Sequence, residues 1–354
     1  MASFSDLIAT ANEGLGKAGQ GKPIRLKDGD KARFEVYYAP FSVCSHKVRN
    51  VLAEKQVPYL EHRMNLSMTE TRPPDCYLPG YVKMRMAGAP GAALVDGYTG
   101  RSSVESEGFD PCVVPTLIDH EKQRVIVDSA RICNYVDQEF DIGPRLSPDN
   151  QKDAIEAQIS LIDQAPHVAV LYGEPPDRDD DRPQVIAKAI DGVHDRKIKN
   201  LEALKATVDD PALIAAYDAK IAKEATAKDF IYTKSAMIEA HKGMKDHVAA
   251  LEAQLNTHSG KWVMGDDYTM ADIMWTISIF RLKWLGLGHL WETPGLAPRV
   301  SEYVQHAFLR PAFKDSVIDW PMSTPPSPHI EPSAPYAQTL HATWRDLAER
   351  RPSA

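Results

Sequence analysis

Between Arg33 and Leu66 the spacing of apolar residues changes twice, and this restricts the possible folds more than any other stretch of the chain. Arg33-Phe-Glu-Val-Tyr-Tyr38 alternates and is rich in aromatic and β-branched side chains, which predicts a strand closed by Pro40. Val48, Val51 and Leu52 then recur at helical spacing within 44–55, with Lys47, Arg49 and Glu54 between them. Tyr59 to Leu66 reads as a second strand. Strand, helix and strand within roughly 35 residues make a βαβ unit, and a crossover of that kind pairs its strands in parallel.

Residues 67–111 break this pattern. Pro73-Pro74, Pro79-Gly80, Pro90-Gly91 and Gly100 punctuate a stretch of weak periodicity, too long for a plain connection, so an insertion or a lid is expected there. Order returns at Val113–Asp119, with Pro115 at the start of the strand because an internal proline would forfeit a ladder hydrogen bond. Val125-Ile126-Val127 is the next strand. Asp128-Ser129 then opens a helix with Ile132, Tyr135 and Val136 on one face.

From about Ser147 the pattern is wholly helical. It predicts one helix over 151–171 despite Pro166, a second over 185–206, a long broken stretch over 211–257, and a buried helix from Ala271. Shorter helices are expected near 298–309 and 311–319. The expected architecture is therefore α/β plus all-α. A surface arm (1–32) precedes an α/β domain (33–140) interrupted at about 67–111; an all-helical domain (147–320) and an extended Pro-rich tail (321–354) follow. A length of 354 residues accommodates two domains.

Charge and cysteine usage narrow the function. The net charge of −8 and the lack of a basic run argue against a nucleic-acid partner. No long uninterrupted apolar window occurs, and Ile273–Leu287 carries Arg281 and Lys283, so it reads as a buried helix and no membrane span is expected. No signal peptide is visible. The cysteines, Cys44, Cys76, Cys112 and Cys133, are too sparse for a disulfide framework and are expected as reduced thiols in the cytoplasm. No His/Cys/Asp cluster has ligand spacing, so no metal is expected.

Cys44 falls just after a strand, in the first turn of a helix, where unpaired N–H groups and the helix dipole favour a thiolate. Read alone, it could equally be a small buried residue. Pro115 is compatible with a cis bond or with an ordinary edge proline. Asp128-Ser129 could cap a helix only, or could also hold a ligand's polar end.

In that order Tyr37-Tyr38-Ala-Pro40, Cys44-Ser45, Val114-Pro115 and Asp128-Ser129 resemble the thioredoxin-like half of the glutathione S-transferase superfamily. Downstream, Gly265-Asp-Asp-Tyr-Thr269-Met-Ala271-Asp272 is similar to that superfamily's helix capping box, and Arg310-Pro311-Ala-Phe313 to its last-helix motif. The resemblance implies an N-terminal thioredoxin-like domain with a C-terminal helical bundle, and glutathione as co-substrate. It implies a cis Pro115, a Val114 backbone that pairs with the cysteinyl part of glutathione, Ser45 at the start of the helix, and Asp128 and Ser129 on the γ-glutamyl end. A homodimer is a candidate assembly.

Phe41-Ser42-Val43-Cys44-Ser45-His46-Lys47-Val48-Arg49 resembles, more narrowly, the Ser-x-Cys-Ser segment of the glutathione-dependent reductive dehalogenases of chlorinated hydroquinones. The insertion with Ser102–Asp110, and Pro166-His167-Val168-Ala169 with Leu171-Tyr172-Gly173, fit the same branch. The implied chemistry removes halide from a halogenated hydroquinone or gentisate through a glutathionyl conjugate and a Cys44–glutathione mixed disulfide, with Ser42 polarising the sulfur. His167, Tyr172 and Arg101 are candidates for contact with the aromatic ring, and Arg85 for neutralising a phenolate. A glutathione lyase that cleaves aryl ethers and a non-catalytic transferase-like interaction module are the competing readings.

Overall fold

The structure is a computed structural model and describes residues 3–16, 19–67, 72–184, 186 and 192–338. Five strands make one sheet in the order β1–β3–β2–β4–β5: β1 (Lys22–Ile24), β2 (Phe34–Tyr38), β3 (Tyr59–Arg63), β4 (Thr116–Asp119) and β5 (Arg124–Val127). β2 and β3 run parallel, from Phe34 opposite Tyr59 to Tyr38 opposite Arg63, as the βαβ pattern requires, and helix α2 (Val43–Glu54) is the crossover. β4 lies antiparallel to β2, and β5 to β4.

The alternation of β2 sorts its side chains between two layers. Phe34, Val36 and Tyr38 pack with Val48, Val51 and Leu52 of α2 and with Ile132 and Val136 of α5 (Ser129–Glu139). Tyr37 faces the other way, toward Ile8 and Ala11 of α1 (Phe4–Glu13) and Tyr81, Val82 and Met84 of α3 (Pro79–Ala87).

Two of these elements correct the reading of the sequence. The N-terminal segment is not an arm. Ser3 and Asp6 form a capping box on α1, Ile8 and Ala11 are buried, and β1 pairs antiparallel with β3, covering what would otherwise be an open sheet edge. The stretch 67–111 is not wholly irregular either. It contains α3, which begins at Pro79 and buries Tyr81, Val82 and Met84 on the same face as the charged Arg85, so no clean apolar stripe marks it as a helix. The excursion outside the α/β layers is therefore limited to Gly88–Asp110, which carries the single-turn helix α4 (Val104–Glu107).

The remaining chain is helical: α6 (Lys152–Asp163), α7 (His167–Tyr172), α8 (Val193–Lys205), α9 (Pro211–Ile231), α10 (Lys234–Leu255), α11 (Met270–Trp284), α12 (His289–Glu292) and α13 (Pro298–Ala307). The single helix expected over 151–171 is broken between Asp163 and His167, because Pro166 lacks the N–H that would continue it. The helix expected over 185–206 is seen over Val193–Lys205; residues 185 and 187–191 lie outside the described residues.

α11 is enclosed by α6 and α2 and buries residues all round, from Met270 through Leu282. Asp272 reaches back to its start as the capping motif predicts: Thr269 N donates to Asp272 Oδ2 at 2.8 Å, and Val263 N donates to Oδ1 at 2.8 Å. The Pro-rich C-terminal part is not an extended tail over its described length. Trp284 Nε1 donates to Pro325 O at 2.7 Å, Ser327 Oγ donates to Trp284 O at 2.8 Å, and Ile330 and Ala337 are buried. Residues 339–354 lie outside the described residues. No described helix is long and apolar enough to cross a membrane.

Candidate active site

Ser42 is the N-cap of α2, its Oγ accepting from Ser45 N at 3.3 Å, and this places Cys44 in the first helical turn. Cys44 alone among the four cysteines is partly accessible. Burial pushes the thiols of Cys76, Cys112 and Cys133 well up, Cys76 to about 12, so these stay protonated and inert. Lys47 lies on the same helix and is held at 3.0 Å by Asp163. Burial opposes its charge, but Asp163 and then the Cys44 sulfur outweigh burial and keep it an ammonium.

The neighbours of Cys44 serve the fold. Ser45, expected among the glutathione contacts, is fully buried and its Oγ accepts from Ala39 N at 3.2 Å, so it fastens the turn after β2. His46 adds no positive charge. Burial drives its pKa well down, and Nε2 lies 2.7 Å from Pro40 O. Arg49 donates to Pro40 O, Ser323 Oγ and Ser316 O, which ties the Cys44 loop to the C-terminal segment.

The peptide bond between Val114 and Pro115 is cis, as the resemblance implies. Asp128 is the N-cap of α5 at φ 73°, with Oδ1 accepting from Ala130 N and Arg131 N; Ser129 is the helix's first residue and is buried. Asp128 Oδ2 accepts from Val104 N at 3.3 Å, so this aspartate also touches the segment that follows α3.

That segment, residues 98–110, is a strap over the thiol. Ser102 Oγ lies 3.7 Å from Cys44 Sγ. Gly100 O accepts from both Val168 N and Ala169 N at 3.1 Å, and Arg101 Nε donates to Gln164 O at 2.8 Å. Farther along, Glu107 pairs with Lys223, and Asp110 with Lys220 at 2.7 Å, on α9. The strap thus joins the sheet domain to three helices of the second half.

The proposed ring contacts separate. Arg85 is buried and donates to Asp110 O, Pro115 O and Thr116 Oγ1, so its guanidinium is committed to the cis-proline segment. His167 lies inside the helical domain, with Nε2 at 2.9 Å from Ser278 Oγ and its ring edge-on to His247; burial holds both rings neutral, His247 at about 3. Tyr172 is half-buried, 4.6 Å beneath Lys197 Nζ and edge-on to His194. Reading the sequence missed Arg281. It figured there only as a charge unsuited to a membrane span, yet its guanidinium lies 4.0 Å over the Phe41 ring and its Nη2 donates to Phe41 O. A lone arginine inside an otherwise apolar helix was the available signal.

A capped cysteine, a cis proline and an aspartate at a second helix start, on this sheet and with an all-helical second half, define a glutathione S-transferase. The family model described as glutathione S-transferase, N-terminal domain, matches residues 41–139. The chain belongs to this superfamily, in the family of the 2,5-dichlorohydroquinone reductive dechlorinase, being 38% identical over 310 residues to that protein of Sphingobium indicum, a match covering 87% of this chain and 88% of the other. The glutathione S-transferase DHAR2 of Arabidopsis thaliana is 32% identical over 89 residues, 25% of this chain and 41% of that one. Among solved structures, the beta-etherase LigF from Sphingobium sp. strain SYK-6 matches with a TM-score of 0.52 at 15% identity over 80% of this chain and 98% of that one. Gtt2 from Saccharomyces cerevisiae matches with a TM-score of 0.50 at 14% identity over 80% and 100%. These two likenesses show the fold alone.

Proposed function

We propose that the protein is a glutathione-dependent reductive dehalogenase of a halogenated hydroquinone-type aromatic. The observation that carries this reading is the placement of Cys44, the single partly accessible thiol, at a capped helix start, in a chain similar over most of its length to a reductive dechlorinase. In the first half-reaction, glutathione thiolate attacks the halogenated carbon of the ketonised hydroquinone and halide leaves. Cys44 thiolate then attacks the sulfur of the conjugate. An S–S bond forms, the C–S bond breaks, and its electron pair passes through the ring into the neighbouring carbonyl, which becomes a phenolate and takes up a proton. A second glutathione exchanges with the Cys44–glutathione disulfide and restores the thiol, so two glutathiones are oxidised for each halide released.

Ser42 suits a supporting role because its oxygen accepts from Ser45 N while its proton is left to donate to a sulfur. Val114, Pro115, Asp128 and Ser129 are the proposed glutathione contacts. Reduced thiols and a glutathione supply fit a cytoplasmic setting. The test is a panel of halogenated hydroquinones and gentisates with and without glutathione. Halide and oxidised glutathione in equal amounts are expected. A stable glutathionyl conjugate as the end product would replace reduction by simple transfer or ether cleavage.

A further inference from the structure

Buried cations in the described residues are compensated in two ways. Lys47, Lys55 and Lys220 each meet a carboxylate. Arg49 and Arg85 instead each reach three oxygen acceptors of the surrounding chain. Arg281 does neither. It is 3% exposed, pairs with no carboxylate among the described residues, and makes one hydrogen bond there, from Nη2 to Phe41 O at 2.5 Å. A buried guanidinium so poorly compensated is costly to the fold, and such groups are kept where an anion arrives to complete them.

Its place says which anion. Arg281 projects from α11 in the helical domain onto Phe41, in the loop of the sheet domain that leads into α2, three residues before Cys44. Two aromatic rings flank it, Phe41 at 4.0 Å and Trp284 at 5.5 Å from the guanidinium carbon. Burial pulls its pKa down to about 9, while Cys44 and then Tyr172 act the other way, so the guanidinium lies within the field of both. The proposed glutathione contacts at Val114, Asp128 and Ser129 all belong to the sheet domain, whereas Arg281 comes from the helical domain between two aromatic rings, surroundings that suit an aromatic anion.

We infer that Arg281 binds the phenolate oxygen of the aromatic substrate and takes up the charge that develops there when Cys44 removes the sulfur. This rests on the dehalogenase reading for the reaction step, although binding of a phenolate does not require turnover. A guanidinium offers two coplanar N–H groups to one oxygen or to neighbouring oxygens, and in a water-poor site a fixed donor of this kind acts more strongly on the developing charge than on the neutral phenol.

The test uses the full chain and 4-nitrophenol, whose phenolate absorbs in the visible. The wild-type protein should lower the apparent pKa of the bound probe by about one unit, Arg281→Lys should retain part of this shift, and Arg281→Gln, which can still donate to Phe41 O, should abolish it. With a halogenated hydroquinone, Arg281→Gln should slow halide release about 100-fold, as loss of an oxyanion donor does, at unchanged glutathione affinity. Identical probe titrations for wild type and both variants overturn the assignment, as does a wild-type protein that leaves the probe unshifted. A changed thiolate absorbance of bound glutathione with an unchanged probe overturns it in favour of a role on the thiol. If the wild type bound and shifted 4-nitrophenol but released no halide from any substrate, the dehalogenase reading would fail and the phenolate site would stand.

Discussion

Ser102 Oγ and Cys44 Sγ lie 3.7 Å apart although 58 residues separate them in the chain. The contact exists because Gly100, two residues before Ser102, is pinned to the start of α7 by the N–H groups of Val168 and Ala169. Access to the thiol is therefore set by a strap anchored in the helical domain.

Gly100→Ala should loosen that strap. Gly100 has φ 78°, and an added Cβ would come within 2.9 Å of Ala169 Cβ, so both strain and contact oppose the substitution. Iodoacetamide should alkylate Cys44 several-fold faster in the variant. An unchanged rate would mean that the strap does not limit access.

Cys44→Ser should retain the first half-reaction, because only the second needs the cysteine sulfur. Mass spectrometry should find a glutathionyl hydroquinone that has lost one halide and does not proceed. Normal yields of dehalogenated product would remove Cys44 from the reaction.

A second titrating centre lies in the sheet, where Glu35 is held at 2.7 Å by His120 and at 2.8 Å by His62. Burial raises the Glu35 pKa, but the hydrogen bonds to His120 and His62 prevail and bring it to about 2; the same bond from Glu35 raises that of His120. A raised folded-state pKa at His120 contributes stability below its unfolded value near 6.5, and this is lost as pH rises through the folded value. The lowered Glu35 pKa contributes above its unfolded value, lost as pH falls toward 2. Urea midpoints should drop as pH rises above about 6.5, and His120→Gln should flatten that slope. A slope equal to wild type in the variant would assign the dependence elsewhere.

Asp272→Ala leaves the buried N–H groups of Val263 and Thr269 without acceptors. Each should cost about 1–3 kcal/mol, so stability should fall by at least ~2 kcal/mol. Glutathione affinity per folded molecule should not change. Lost turnover at wild-type stability would instead place Asp272 in contact with substrate.

What could be read along the chain was whatever neighbouring residues decide among themselves. The β2–α2–β3 unit followed from a switch between two and three-to-four residue periods. The reach of Asp272 back to Thr269 followed from a three-residue spacing. The location of Cys44 at a helix start followed from the same strand-to-helix switch, whereas the cis proline came from matching an ordered set of short motifs. α3 escaped notice because a charged residue, Arg85, sits on its buried face and Pro79-Gly80 opens it, which breaks the apolar stripe by which a helix is recognised. Tertiary structure alone decided what each polar group meets. It turned Ser45 and His46 inward, spent Arg85 on the cis-proline segment, sank His167 among Ser278 and His247, and brought Arg281 across 240 positions to Phe41. The physical reason is range. Periodicity and capping act over one or two turns, whereas the partner of a buried charge is whichever group the packing of distant elements brings within about 3 Å.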